Sequence, residues 1–187
     1  MKIEIVRYDL RWKARFEEEK KSILSKLGAI AKKVHHIGST SVDGLAAKPI
    51  IDMMLEVSSL ECLDEVSPKL ESLGYEVMGA FGIEGRRYFR KGGEDRTHQI
   101  HAFKAGDANV FRHLAFRDYL KSHPAVRSAY QRLKIEVAQA CENDIDRYCE
   151  GKDAFIKLYE SKALEWIREQ MKEPPSSRDA RTSAAER

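Results

Sequence analysis

The chain has 187 residues, with 33 Lys and Arg against 30 Asp and Glu, 42% hydrophobic and 34% charged residues, and a mean hydropathy of −0.53. Its size suits one domain plus a remainder, and a chain this long buries about 70% of its unfolded surface without covalent staples, so a disulfide mini-protein, a fibre and a wholly disordered chain are excluded. The net charge of +3 is too small to mark a nucleic-acid coat, and no stretch approaches the roughly 18 apolar residues that cross a bilayer, which places the protein in the cytoplasm as an expectation.

In chain order, Asp9 caps a helix whose apolar residues Leu10, Trp12, Phe16, Ile23, Leu24 and Leu27 recur at helical steps, with Gly28 ending it. Residues 34–37 form a short strand and residues 50–57 a fuller one. Between them Gly38-Ser39-Thr40-Ser41-Val42-Asp43-Gly44-Leu45 is expected to make a tight turn and start a helix. Residues 60–73 fit an amphipathic helix closed by Gly74, and residues 75–78, 87–90 and 100–103 fit strands joined by glycine turns. Helical patterns then cover residues 110–120, 125–140 and 152–170, with Pro124 in a first turn and Gly151 setting the last helix apart. Mixed strands followed by helices predict an α+β domain over residues 1–172. Residues 173–187, which contain Pro174-Pro175 and no aromatic, are expected to be a disordered tail. Cys62, Cys141 and Cys149 are odd in number and lack C-x-x-C spacing, which predicts reduced and mostly buried thiols.

Three features bear chemistry. Backbone N–H groups at a helix start, with hydroxyls beside them, suit phosphate oxygens, and Gly38-Ser39-Thr40-Ser41 offers both. The same stretch matches neither the P-loop nor the dinucleotide signature, and Ser and Thr are also ordinary caps. Asp52 interrupts the apolar run Ile50-Ile51-Asp52-Met53-Met54-Leu55, and a carboxylate there needs a cation, donors or open water. Alternation puts Asp52, Met54 and Glu56 on one strand face and Ile51, Met53, Leu55 and Val57 on the other, so a metal at Asp52 meets Met54 and no second acid. In Arg96-Thr97-His98-Gln99-Ile100-His101 the two histidines fall on opposite faces and cannot chelate one ion together. One of them can join Asp52 with His35 or His36, while a surface or hydrogen-bonded role remains open for each. Arg112, His113 and Arg117 cluster on a helix that could present cations at a cleft lip, as could a solvated helix face.

The segments His36-Ile37-Gly38-Ser39-Thr40-Ser41-Val42-x-Gly44-Leu45-Ala46-Ala47-Lys48-Pro49-Ile50-Ile51-Asp52, Arg96-Thr97-His98-x-Ile100-His101 and Leu114-Ala115-Phe116-Arg117-Asp118-Tyr119-Leu120 together resemble the GrpB family. That family is related to the nucleotidyltransferase superfamily and is also found fused to some dephospho-CoA kinases. The resemblance extends from Tyr8 and Trp12 to Tyr148 and Gly151-Lys152-Asp153. It implies a minimal nucleotidyltransferase-like mixed sheet flanked by helices, with Gly38, Ser39, Thr40, Ser41, Lys48, Arg117, Lys134 and Lys152 toward a nucleotide or other phosphate-bearing small molecule. It further implies Asp52 and His101 at the reacting centre, and a divalent metal (Mg²⁺ or Mn²⁺, or Zn²⁺ given the histidines) on Asp52, His98, His101 and His36. Met54 departs from the superfamily's Asp-x-Asp, where the second acid would stand, and Asp43 stands where the family commonly has Pro. The implied activity is transfer of a nucleotidyl group to an acceptor. The alternative is a catalytically inactive module that kept the phosphate turn and binds a nucleotide or coenzyme-like ligand. Nucleic acid ranks behind both.

Overall fold

Strand alternation decides how the layers stack. The computed structural model describes residues 3–172, so the tail expected at residues 173–187 lies outside the described residues. After helix α1 (Arg11–Leu27) the chain runs through β1 (Ala31–Ile37) and β2 (Ile51–Val57), then helices α2 (Leu60–Glu65) and α3 (Ser67–Glu71), then β3 (Tyr75–Val77), β4 (Arg87–Lys91) and β5 (His98–Lys104). It ends in helices α4 (Ala108–Ser122), α5 (Pro124–Ala140) and α6 (Ile145–Lys172). The strands form one sheet in the order β1-β2-β5-β4-β3, parallel between β2 and β5 and antiparallel elsewhere. The α+β class expected from the sequence is the architecture found.

Met53, Leu55 and Val57 of β2 point into the larger core with Trp12, Phe16 and Ile23 of α1, Leu63 and Leu70 of α2 and α3, and Phe89 and Ile100 of the sheet. Full burial of such side chains contributes about 1.5–3 kcal/mol each, before chain entropy is subtracted. On the opposite face Met54 packs with Ile37, Phe103 and Val110, and Val42, Leu45, Leu120 and Tyr130 continue that layer among the C-terminal helices. Asp52 shares this second face, as alternation predicts.

Four local expectations are corrected. The turn after β1 does not start an α-helix: Ser39–Ser41 forms one 3-10 turn, and the chain leaves it extended at Val42. The helix expected at residues 60–73 breaks at Val66, because Pro68 in the first turn of α3 donates no amide to a continuous helix. The last helix begins at Ile145, well before Gly151, which lies inside it. Of the three thiols only Cys141 is buried, since Cys62 and Cys149 fall on outer helix faces.

Gly151 is tolerated in the helix because α6 packs closely on α5 there. A Cβ at Gly151 would lie 2.6 Å from Cγ1 of Val137 and 2.9 Å from its Cγ2. An exposed helical Gly→Ala change gains about 1 kcal/mol, whereas overpacking costs about 1–3 kcal/mol. Gly151→Ala is therefore expected to lower the unfolding free energy by about 1 kcal/mol, measured by urea unfolding. A gain in stability would show that the two helices are free to separate.

Candidate functional site

Asp52 sits half-buried at the base of a cleft, between the turn after β1 and strand β5. The turn lies directly on it. Gly38 has φ +68, and a Cβ there would stand 2.5 Å from Oδ2 of Asp52, so this approach requires glycine twice over, for conformation and for space. Gln99 is the partner of Asp52 in the parallel register. With its amide nitrogen turned to the acid, Gln99 donates to Oδ1 at 3.0 Å, and its oxygen accepts from the Tyr88 hydroxyl and from Arg96, each at 3.3 Å. Burial pushes the Asp52 carboxyl up to about 6, against the pull of Lys48, Lys152 and Arg96 toward the ionised form.

The cleft holds a cavity of about 280 Å³ whose walls include Gly38, Ser39, Thr40, Lys48, Asp52, Gln99, His101, His113, Tyr130, Lys134, Tyr148 and Lys152. Helices α5 and α6 each bring a Tyr-x-x-x-Lys pair to it. Four residues make about one helical turn, so each lysine stands over its own tyrosine: Nζ of Lys134 is 4.9 Å from the Tyr130 ring centre and Nζ of Lys152 is 3.9 Å from that of Tyr148. Lys48 approaches the same Tyr148 ring at 5.0 Å. Lys134 is only 2% exposed and donates to the carbonyl of Ala46, while Gln131 accepts from the amide of Ala46 at 2.8 Å, so α5 grips the segment leading into β2.

Desolvation pulls the ammonium of Lys134 down to about 7, with Lys152 adding repulsion, and it pulls Lys152 down to about 8 and lowers Lys48 as well. Three lysines around one carboxylate leave a cavity of positive excess whose cations are held at a cost. The histidines here are neutral. Burial, with His113 and Arg86 nearby, pushes His101 down to about 3, and burial also lowers His113. Arg86 offers only donors, and its Nη1 lies 3.5 Å from Nδ1 of His101, so the proton of that ring belongs on Nε2. His113 has the reverse tautomer, because its Nδ1 donates to the carbonyl of Asn109 at 2.8 Å.

Gly38, Ser39, Thr40, Lys48, Asp52, His101, Lys134 and Lys152 thus meet in one cavity, but the other expected residues do not join them. The Ser41 hydroxyl is spent on the Gly38 carbonyl at 2.6 Å. Thr40 lines the wall, yet its hydroxyl donates to Ile50 O at 3.3 Å and accepts from Nε2 of His36 at 3.0 Å. The 3-10 turn offers instead the amides of Ser39 and Thr40, which have no partner within it, and the Ser39 side chain, which shares a hydrogen bond with Tyr130. Arg117 pairs with Asp118 and donates to the carbonyl of His36 at 3.0 Å, at the far side of the turn.

The metal set is likewise not assembled. His36 stacks on Phe16 of α1, with ring centres 4.7 Å apart, and His98 is carried by alternation to the same α1 side of the sheet, among Glu19, Arg15 and Lys91. Glu56, two positions beyond Met54 on the Asp52 face, is held by His35 at 2.7 Å. Among the described residues no three His, Cys, Asp or Glu side chains are placed to hold an ion together. Asp52 with a neutral His101 whose Nδ1 faces Arg86, ringed by lysines, does not fit a divalent cation.

Sequence reading missed Gln99, Tyr130 and Tyr148, although the repeated Tyr-x-x-x-Lys spacing was available as a signal. It named His113 only for a cationic cleft lip, where the ring is neutral. A group whose pKa falls on folding sheds its proton first in the folded state, so each buried lysine adds stability as pH rises from its folded value toward that of the unfolded chain. The ligand-free protein is expected to melt at higher temperature at pH 9 than at pH 7. Lys134→Met should raise the pH 7 midpoint and flatten that rise, and an unchanged slope would remove Lys134 as its source.

No helix of the described residues is long and apolar enough to cross a membrane. Residues 2–162 match the family described as GrpB protein. The chain is 43% identical over 165 residues to UPF0157 protein YqkA of Bacillus subtilis (strain 168), an alignment covering 88% of this chain and 48% of that one, so it spans about half the length of that relative. A dephospho-CoA kinase of Mycobacterium leprae (strain TN) is 28% identical over 167 residues, covering 74% of this chain and 41% of the kinase. The crystal structure of the conserved protein GrpB from Enterococcus faecalis superposes with a TM-score of 0.84 at 45% identity, covering 88% of this chain and 99% of that one. The chain belongs to the GrpB family.

Proposed function

We propose that the chain binds a phosphate-bearing small molecule of the nucleoside triphosphate type, with Lys48, Lys134 and Lys152 supplying the charge that a metal supplies elsewhere. The observation that carries this reading is the convergence of three lysines from separate elements on one 280 Å³ cavity beside the Gly38-Ser39 turn. An anion placed there restores the ammonium groups to their ordinary ionisation and relieves repulsion that the empty cavity bears. The amides of Ser39 and Thr40 give directional donors to the same oxygens. The turn that the resemblance equates with a phosphate-holding turn is the one that lines this cavity.

The binding test uses calorimetric titration with inorganic tripolyphosphate and with ATP, first in a chelator and then with Mg²⁺. Binding of both in the chelator is expected, with affinity falling as pH rises from 7 to 9 because the lysines lose their protons. Lys134→Met combined with Lys152→Met should weaken it at least about tenfold, which is about 1.4 kcal/mol. Binding that appears only with the metal, or not at all, refutes the reading.

A second reading, transfer of a nucleotidyl group to an acceptor, is favoured by one observation: a carboxyl displaced to about 6 touches the phosphate turn. The fraction of such an acid that stays ionised beside the phosphates can accept a proton from an attacking hydroxyl near neutral pH. Pyrophosphate release from ATP, lost in Asp52→Asn while tripolyphosphate binding persists, would establish it. Tight binding with no release leaves the binding module.

A further inference from the structure

The phosphate cavity shares part of its wall with a second cavity. Gly38, Ser39, His113 and Tyr130 also line an adjoining annex of about 170 Å³ enclosed by the C-terminal helices. Its wall is a different chemistry: Phe116, Leu120 and Ile156 line it, and the Phe116 and Tyr130 rings stand edge to face with centres 5.8 Å apart. Phe155 stacks behind Tyr130 at 5.1 Å and fixes that ring in place. A cationic cavity with an aromatic-walled one beside it suits one molecule that carries phosphates at one end and a flat apolar group at the other.

The polar groups of the annex narrow the choice. Glu160 presents a carboxylate whose oxygens are both held at 2.6 Å by Nη1 of Arg112, so it is fixed in place and still has lone pairs to offer. His113 donates through Nδ1 to the Asn109 carbonyl, which makes its Nε2 an acceptor, and burial keeps the ring neutral. Arg117 is drawn toward Asp118 and the His36 carbonyl, and the Ser39 and Tyr130 hydroxyls belong to the wall shared with the phosphate cavity. Two fixed acceptors in an aromatic slot call for donors on the group that enters it. A ring edge that brings only carbonyl oxygens would face Glu160 with repulsion and leave both acceptors unpaired.

Building on the phosphate-binding reading above, we infer that the annex is a base subsite selective for a heterocycle bearing an exocyclic amine, with Glu160 and His113 accepting from that amine while Phe116 and Tyr130 flank the ring. The chain thereby favours bases that carry an exocyclic amine over uracil, which offers a single N3–H between two carbonyls, and favours nucleotides over bare polyphosphate through contact of the base with the aromatic wall.

The test is calorimetric titration of the full chain with ATP, CTP, UTP, purine riboside triphosphate, which is the adenine nucleotide without its amine, and inorganic tripolyphosphate. The tighter of ATP and CTP is expected to bind at least about tenfold better than both purine riboside triphosphate and UTP. Ile156→Phe, which fills the annex, should erase this preference and leave the tripolyphosphate affinity unchanged. Should that variant fail to fold, the comparison of ATP with its amine-free analogue in the unaltered chain still decides. Equal affinities across the nucleotides overturn the base subsite while sparing the phosphate cavity. Failure of every compound, tripolyphosphate included, overturns both.

Discussion

A carboxylate covered by a side-chain-free turn is the contact on which the rest of the site depends. Asp52 shares its strand with one other charged residue, Glu56, among apolar neighbours, and the chain leaving β1 crosses it at a distance no Cβ allows. That crossing places the Ser39 and Thr40 amides at the mouth of the cavity and the acid at its base. It holds because the next segment is fixed independently: α5 binds both the amide and the carbonyl of Ala46, and a further bridge ties Ala47 to Val6. β1, paired with β2, holds the other end of the turn, so both ends are anchored.

Charge in the cleft follows from the same geometry. A two-metal site needs several hard oxygen ligands on one face, and this face offers Asp52, then buried Met54, then a Glu56 already paired with His35. The positive charge comes from Lys134 and Lys152 on helices packed over the sheet and from Lys48 in the segment before β2. Their ammonium nitrogens stand over the rings of Tyr130 and Tyr148, which line the cavity with them. A lysine is a weaker organiser of phosphate than a metal ion, since it neither fixes a coordination shell nor carries two charges. Three of them can still offset much of the charge of a triphosphate, which makes binding the better supported role and transfer the secondary one.

Much of this was legible in the sequence, and the parts that were not have physical reasons. Period-two alternation assigned Asp52, Met54 and Glu56 to one face and set His98 against His101, because a strand admits no other geometry. Alternation cannot say which neighbour a strand receives. The parallel β2–β5 pairing that brings Gln99 and His101 beside Asp52 and leaves His98 near Glu19 is a property of the sheet. The hydroxyl run was equally ambiguous: Ser and Thr cap helices and also close 3-10 turns, and here Thr40 and Ser41 spend their hydroxyls inside the turn. Lys134 and Lys152 were found by resemblance, while the tyrosines beneath them look like ordinary core residues until the two helices are docked. Gly151 marks that docking, being the place where α6 needs no side chain, although in one dimension it looks like a helix boundary.

The acid and the lysines also answer a difficulty that a phosphate site with a carboxylate at its base would otherwise pose. An incoming polyphosphate is repelled by an ionised Asp52, and that repulsion would cancel part of what the lysines contribute. Burial has already moved the acid to about 6, close enough to neutrality that added negative charge nearby drives it toward the protonated form. The same negative charge drives Lys134 and Lys152 from partial to full protonation. All three groups therefore respond in one direction, by taking up protons, and the cleft adapts its charge to an anion without moving a backbone atom. A carboxyl with an ordinary pKa in this position would stay ionised and oppose the ligand, and lysines with ordinary pKa values would attract it at full charge with no further proton to take up. The desolvation that makes the empty cleft costly is what makes it responsive.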